Sequence, residues 1–324
     1  MRKVLVIILA LALVFSMLSL FACTDGNGSQ NEETKDPALT DPATDGSDSS
    51  AETDPVTDEV TEAPPETDPV IVKPDPPEEG GAQFIFVKTF LADTFEASNG
   101  VTLPYRYRMP DNYSEEYAYP VLLFLHGAGE RGNDNDGQIQ LGIQNMFMPK
   151  ELPTYNCFIV APQCPSDEGW NAVDWSLGSY SVDEHPMTAP LCAVLELLDY
   201  INEKYSTNLD RQYVTGLSMG GYGTWDLICR YPDRFAAAVP LCGGGDPSKA
   251  ELLKDLPIHI YHDKDDTSVP VQGSRDMYEA LIAAGSEVVL YTESEGRGHN
   301  VWDLTYREPE MIKWMFAQRR NSDK

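Results

Sequence analysis

The run Arg211-Gln212-Tyr213-Val214-Thr215-Gly216-Leu217-Ser218-Met219-Gly220-Gly221-Tyr222-Gly223 decides the fold of this 324-residue chain. Its first five residues read as a short strand, with β-branched and aromatic side chains running into a glycine. From Met219 to Tyr231 the pattern is helical. It opens with Gly220, Gly221 and Gly223, continues with Trp225, Leu227 and Ile228, and stops at Pro232, which cannot continue a helix. Between strand and helix, Gly216-Leu217-Ser218-Met219-Gly220 is a GxSxG turn, which lifts a serine hydroxyl clear of a sheet. So sharp a turn strains the backbone at the serine, and small residues on either side let strand and helix approach closely.

A serine hydroxyl is a weak nucleophile until a base removes its proton, and the chain has five histidines. In doubly wound folds that carry this turn, the acid and then the base follow the nucleophile along the chain. His126 and His185 precede Ser218. His259 and His262 lie on an apparent strand and its end, which leaves no room for an acid before them. His299 remains, in the glycine-rich loop Gly296-Arg297-Gly298-His299-Asn300 ahead of an amphipathic run from Val301 to Gln318. A lone loop histidine is ordinarily a solvated surface residue; chain order and the flanking glycines mark this one as the base.

The acid must accept the imidazole Nδ1 proton and stabilise the imidazolium. The loop after His262 offers Asp263, Asp265 and Asp266, and the residues alone leave the choice among them open, a merely solvated acidic loop being the alternative. An oxyanion needs two preorganised N–H donors. One is expected from the Met219 backbone. The second is expected from the loop after an early buried strand. Pro120 to Leu125 is such a strand and runs into His126-Gly127-Ala128-Gly129-Glu130-Arg131-Gly132, where the Ala128 N–H is the candidate and His126 reads as a structural hydrogen-bonder.

Four segments, LHGAGERG from Leu125, GLSMGGYGTW ending at Trp225, HDKDDTSVPV from His262 and GHNVW from Gly298, resemble the α/β-hydrolase superfamily. Within it the likeness is to the phospholipase/carboxylesterase and feruloyl-esterase-like group, which includes proteins called predicted peptidases. The matching pieces span most of residues 82 to 320. The third segment resembles the HGxxDxxVP stretch of many carboxylesterases, with Asp263 in place of the glycine. That likeness implies Asp266 as the acid, with Asp265 as the fallback. The resemblance implies an acyl-enzyme serine hydrolase, and it says little about substrate because the fold hosts many acyl-transfer chemistries.

Outside these segments, three parts divide the chain. Met1-Arg2-Lys3 followed by the apolar stretch Val4 to Ala22 reads as an export signal, with an uncleaved membrane span as the alternative. Leu20-Phe21-Ala22-Cys23 resembles a bacterial lipobox, which implies lipidation of Cys23 and a membrane-anchored lipoprotein at the cell surface. Residues 24–80 hold 17 acidic residues, two basic ones, nine prolines and no aromatic residue. Such a segment cannot bury enough apolar surface to offset its chain entropy, so a disordered tether over 23–80 is expected, with an ideal-chain span of ~40 Å. Thr-Asp-Pro at 40, 53 and 67 recurs with the looseness of a low-complexity stalk. Residues 81–324 form the catalytic domain and carry about −16 of the formal −29, which argues against nucleic acid and anionic surfaces as partners.

Within that domain the expected strands are 82–90, 101–109, 120–125, 157–161, 211–215, 236–241, 257–262 and 287–292. The expected helical runs are 137–147, 189–205, 219–231, 272–284 and 302–318. Their alternation predicts an α/β fold, a mostly parallel sheet with helices on both faces, and ligands in such sheets bind at the carboxyl ends of the strands. The short connection between 241 and 257 has no room for a large lid. The longer stretch from Pro162 to Pro190 carries Trp170 and Trp175, which could stack on a sugar or phenolic group or simply pack the loop down. Cys157, Cys164, Cys192, Cys229 and Cys242 have no metal-ligand spacing, and most read as buried small hydrophobes, with a Cys157–Cys164 bridge as the alternative. No metal or organic cofactor is implied. The expectation is a serine carboxylic-ester hydrolase, on feruloyl or acetyl esters of plant carbohydrate. A serine peptidase on the same triad and a non-catalytic carbohydrate-binding surface lipoprotein are the alternatives.

Overall fold

The computed structural model describes residues 73–76, 90–147 and 156–320. The leader, Cys23, most of the acidic segment and residues 82–89 lie outside the described residues. Among the described residues, eight strands form one sheet in the order β1-β2-β4-β3-β5-β6-β7-β8. They are β1 (Leu91–Glu96), β2 (Thr102–Arg108), β3 (Tyr119–Leu125), β4 (Phe158–Pro162), β5 (Thr207–Leu217), β6 (Ala237–Leu241), β7 (Ile258–Asp263) and β8 (Val289–Ser294). β1 and β2 pair antiparallel, β2 joins β4 antiparallel, and every pairing from β4 through β3, β5, β6 and β7 to β8 is parallel.

The central strands are buried on both faces and read as continuous apolar runs, as parallel strands covered by helices should. In β3, Tyr119, Val121, Leu123 and Leu125 point into one core, and the alternate Leu122 and Phe124 point into the other. On the first face lie α2 (Ala189–Lys204), α3 (Met219–Arg230), α4 (Ala250–Leu253) and α5 (Gln272–Ala283), through residues such as Leu197, Trp225, Leu253 and Met277. On the second lie α1 (Ile143–Phe147), α6 (Trp302–Thr305) and α7 (Pro309–Ala317), through Ile143, Trp302, Met311 and Met315. This is the α/β architecture expected from the alternation of strand and helix patterns.

Several expectations are corrected. The expected strand over 82–90 lies, but for Phe90, outside the described residues, and the first described strand is Leu91–Glu96, paired with Thr102–Arg108, where no strand was expected before 101. β1 is an edge strand with a largely solvated side-chain row, so no apolar alternation announces it. The run expected over 302–318 is two helices, because Pro309 takes the first position of α7, where its missing N–H is harmless. The run expected over 137–147 is a 3-10 turn at Gly137–Ile139 followed by the short α1. Cys157 and Cys164 are free buried thiols, so no bridge joins them.

The parallel order puts the carboxyl ends of β3, β5, β6, β7 and β8 along one edge. Close approach there depends on glycine: a Cβ at Gly220 would collide with the Leu125 carbonyl, and one at Gly221 with the Leu241 carbonyl. The helix that follows the serine therefore sits against the ends of both neighbouring strands. Residues 73–76 also belong to this domain's surface. Ala118 N donates to the Pro74 carbonyl at 3.0 Å, and Asp75 pairs with Arg211 and Arg319.

Candidate active site

Ser218 occupies the turn between β5 and α3 with φ 55° and ψ −118°, a left-handed conformation that costs a non-glycine residue roughly 1–3 kcal/mol. Two backbone bonds hold it there. Ser218 N donates to the Leu241 carbonyl at the end of β6, and Tyr222 N donates to the Ser218 carbonyl, each at 3.0 Å. The residue is half-buried, and its Oγ lies 2.8 Å from His299 Nε2. His299 lies outside helix and strand, and its ring edge packs at 5.2 Å and 89° against Trp302. Its Nδ1 lies 2.7 Å from Asp266 Oδ2.

Asp266 is the carboxylate of the three that meets the His299 ring. Its Oδ1 accepts from Ser268 N at 2.8 Å and Val269 N at 2.9 Å. Its Oδ2 faces His262 Nε2 at 3.2 Å as well as His299, and the side chain is fully buried. Burial alone would raise its pKa, but the hydrogen bonds from His262, His299, Val269 and Ser268 outweigh that and hold the carboxyl well below its usual range. It therefore stays an acceptor for the His299 proton. His262 is fully buried, with Nδ1 2.8 Å from Ser274 Oγ.

The other two aspartates do different work. Asp265 Oδ2 accepts from Gly296 N at 2.8 Å. Asp263 accepts from Arg297 N at 3.1 Å and Gly298 N at 3.2 Å. The three candidates thus divide between binding the histidine ring and binding the loop that carries it. Sequence reasoning passed over His262 and Asp263 as support. The signal was present, since both open the HDKDD segment, but nothing in spacing separates a ligand of the ring from a ligand of the loop.

Ala128 opens a 3-10 turn, Ala128–Glu130, just past β3. Leu125 pairs with Gly216 across β3 and β5, and a Cβ at Gly127 would lie 2.8 Å from Leu217 Cδ1, so this loop runs beside the serine turn. Met219 N is the first N–H of α3 and has no intrahelical acceptor by construction. A buried network fixes the loop. Cys164 N donates to His126 Nε2 at 2.9 Å, leaving Nδ1 to donate to the Gly127 carbonyl at 2.6 Å. Arg131 Nε holds the Ala128 carbonyl at 2.9 Å. Burial pushes the His126 pKa down to about 4, so it is a neutral structural bonder at neutral pH.

Trp170 is corrected as a substrate-binding candidate. It is fully buried, its Nε1 donates to the His126 carbonyl at 3.0 Å, and it packs on Gly223 of α3. No ring face is left for a ligand. Trp175 is half-buried on the 3-10 turn Trp175–Leu177. Its carbonyl accepts from Tyr222 Oη at 2.9 Å and its Nε1 donates to Asn171 at 3.1 Å. Tyr222 is one helical turn past Ser218, so this segment is fastened beside the site.

Among the described residues, Cys242 Sγ, an Asp266 oxygen and a His299 nitrogen form the one group of potential metal ligands, within 4.8 Å of one another. Burial pushes the Cys242 thiol well above its ordinary pKa, and a protonated thiol is a poor ligand. The other two are already committed to each other and to Ser218.

Comparison with known proteins identifies the family. Residues 100–308 match the model of the Esterase family, described as "Putative esterase". A poly(3-hydroxyoctanoate) depolymerase from Pseudomonas fluorescens is 26% identical over 210 residues, covering 60% of this chain and 72% of that protein. An uncharacterized secreted protein from Arthroderma benhamiae is 27% identical over 246 residues, and the chain spans only 24% of its length. The crystal structure of a thermostable esterase superposes with a TM-score of 0.66 at 40% identity, covering 72% of this chain and 64% of that one. The chain belongs to the Esterase family, and its described domain has the α/β-hydrolase fold with no large lid.

Proposed function

We propose that this protein is a serine carboxylic-ester hydrolase. One observation carries the reading: an unbroken hydrogen-bonded series from Ser218 Oγ through His299 to Asp266, at 2.8 and 2.7 Å. In this reading His299 Nε2 takes the Ser218 proton as Oγ attacks the ester carbonyl. Asp266 keeps Nδ1 protonated and stabilises the imidazolium. The N–H groups of Met219 and Ala128 receive the oxyanion. Collapse of the tetrahedral intermediate expels the alcohol, which takes its proton from His299 and leaves Ser218 acylated. Water, deprotonated by His299, then attacks the acyl-enzyme and releases the carboxylic acid.

For the substrate, the reading favours acyl esters attached to plant carbohydrate, feruloyl or acetyl. Trp175 and the 70%-exposed Leu177 beside it supply an apolar wall for an acyl or aryl group, and the absence of a large lid suits a bulky polymer. An acetylxylan esterase from Emericella nidulans, 27% identical over 90 residues, points the same way, though it covers only 28% of this chain. For its location, the reading keeps an export leader over 1–22, a lipid anchor on Cys23, and residues from 23 up to the docked 73–76 segment as the tether to the catalytic domain. The secreted fungal relative supports export.

The test is a substrate panel with the purified full-length protein: nitrophenyl acetate, longer-chain nitrophenyl esters, methyl ferulate and peptide anilides. Ester hydrolysis is expected to dominate, with acetyl or feruloyl esters ahead of long acyl chains. Faster cleavage of the anilides would turn the reading toward a peptidase.

A further inference from the structure

The loop that carries His299 has no regular secondary structure, yet its three preceding N–H groups are all held by carboxylates at the end of β7 and in the loop after it. Gly296 N donates to Asp265, and Arg297 N and Gly298 N donate to Asp263. Gly296 and Gly298 adopt left-handed φ values of 80° and 58°, and such a turn gathers successive N–H groups into an anion-binding concavity. Asp263 fills it from within the chain. Its side chain is fully buried, and all its acceptor directions are used. Oδ1 takes Asp265 N at 3.0 Å and Gly298 N at 3.2 Å. Oδ2 takes Ser294 Oγ at 2.7 Å and Arg297 N at 3.1 Å. Burial works against the charge, but these four bonds win and hold the carboxyl below its usual range.

The four donors come from three places: the loop leading to Asp266, the end of β8, and the loop leading to His299. Asp263 also pairs with Ser294 in the β7–β8 register, so it sits on rigid sheet while both loops extend from it. We propose that Asp263 is a positioning residue for catalysis, which fixes the His299 loop to the end of β7 so that the imidazole bridges Asp266 and Ser218. The proposal rests on the serine-hydrolase reading above. A misplacement of about 1 Å in a reacting group can cost about 10²-fold in rate.

Substitutions at Asp263 and Ser294 test it, with thermal melting measured alongside hydrolysis of nitrophenyl acetate by the full-length protein. Asp263→Ala is expected to lower kcat about 10²-fold while KM stays within about threefold of the parent, because the substrate walls are untouched. Asp263→Asn keeps one carbonyl oxygen for Asp265 N and Gly298 N, and is expected to recover part of the loss. Ser294→Ala removes a bond to the same carboxylate without freeing the histidine loop, and is expected to lower the melting temperature with kcat within about threefold of the parent. A folded Asp263→Ala or Asp263→Asn protein with parental kcat would overturn the proposal, as would a kcat loss in Ser294→Ala equal to that in Asp263→Asn. If Asp263→Ala does not fold, Asp263→Asn decides. Ser218→Ala, run in parallel, reports separately on the serine reading: if it retains full activity, that reading fails whatever Asp263 does.

Discussion

Ser218→Ala lowers kcat on nitrophenyl acetate by on the order of 10⁶, the scale seen when a triad nucleophile is removed and only oxyanion and binding contributions remain. The hydroxyl contributes nothing measurable to the fold. Its Oγ has His299 Nε2 as its hydrogen-bond partner, while the backbone bonds to Leu241 and Tyr222 persist without it. Relief at φ 55° is small because alanine is as strained there as serine. The melting temperature is therefore expected to stay within a few degrees of the parent while activity is lost. Equal loss of stability and activity would point to a structural serine instead.

Asp266→Asn lowers kcat by about 10⁴, and Asp265→Asn leaves it within about tenfold of the parent. The amide at 266 offers His299 Nδ1 a donor in place of an acceptor, which turns the imidazole to the wrong tautomer for taking the serine proton. The two backbone bonds from Ser268 and Val269 fall on the other oxygen, so the loop itself is kept. At 265 the amide oxygen can still accept from Gly296 N. Steady-state kinetics on both variants distinguish them. The reverse pattern would move the acid one residue earlier.

The fold and most of the site geometry were legible in the sequence because they rest on local rules. The serine turn needs glycine where β3, β5 and β6 meet α3, and the collisions at Gly220 and Gly221 show why those residues flank the serine so visibly. Chain order singled out His299, and the structure brings it to Ser218. What stayed illegible depends on contacts between distant segments. Asp263, Asp265 and Asp266 are chemically alike and adjacent, and only the path of the 296–299 loop tells a ring partner from a backbone partner. Trp170 resembled a ligand platform by composition, but its indole is used to fasten the 162–190 stretch to the His126 carbonyl and α3. β1 went unseen because an edge strand with a solvated row carries no apolar period.

The most direct measurement is intact-mass and peptide mapping of the full-length protein after brief exposure to a fluorophosphonate, which traps an activated serine covalently. A single adduct on the peptide containing Ser218 is expected, formed in parallel with loss of esterase activity and absent from Ser218→Ala. Esterase activity that survives with no adduct, or an adduct on another residue that tracks the loss, would contradict Ser218 as the nucleophile.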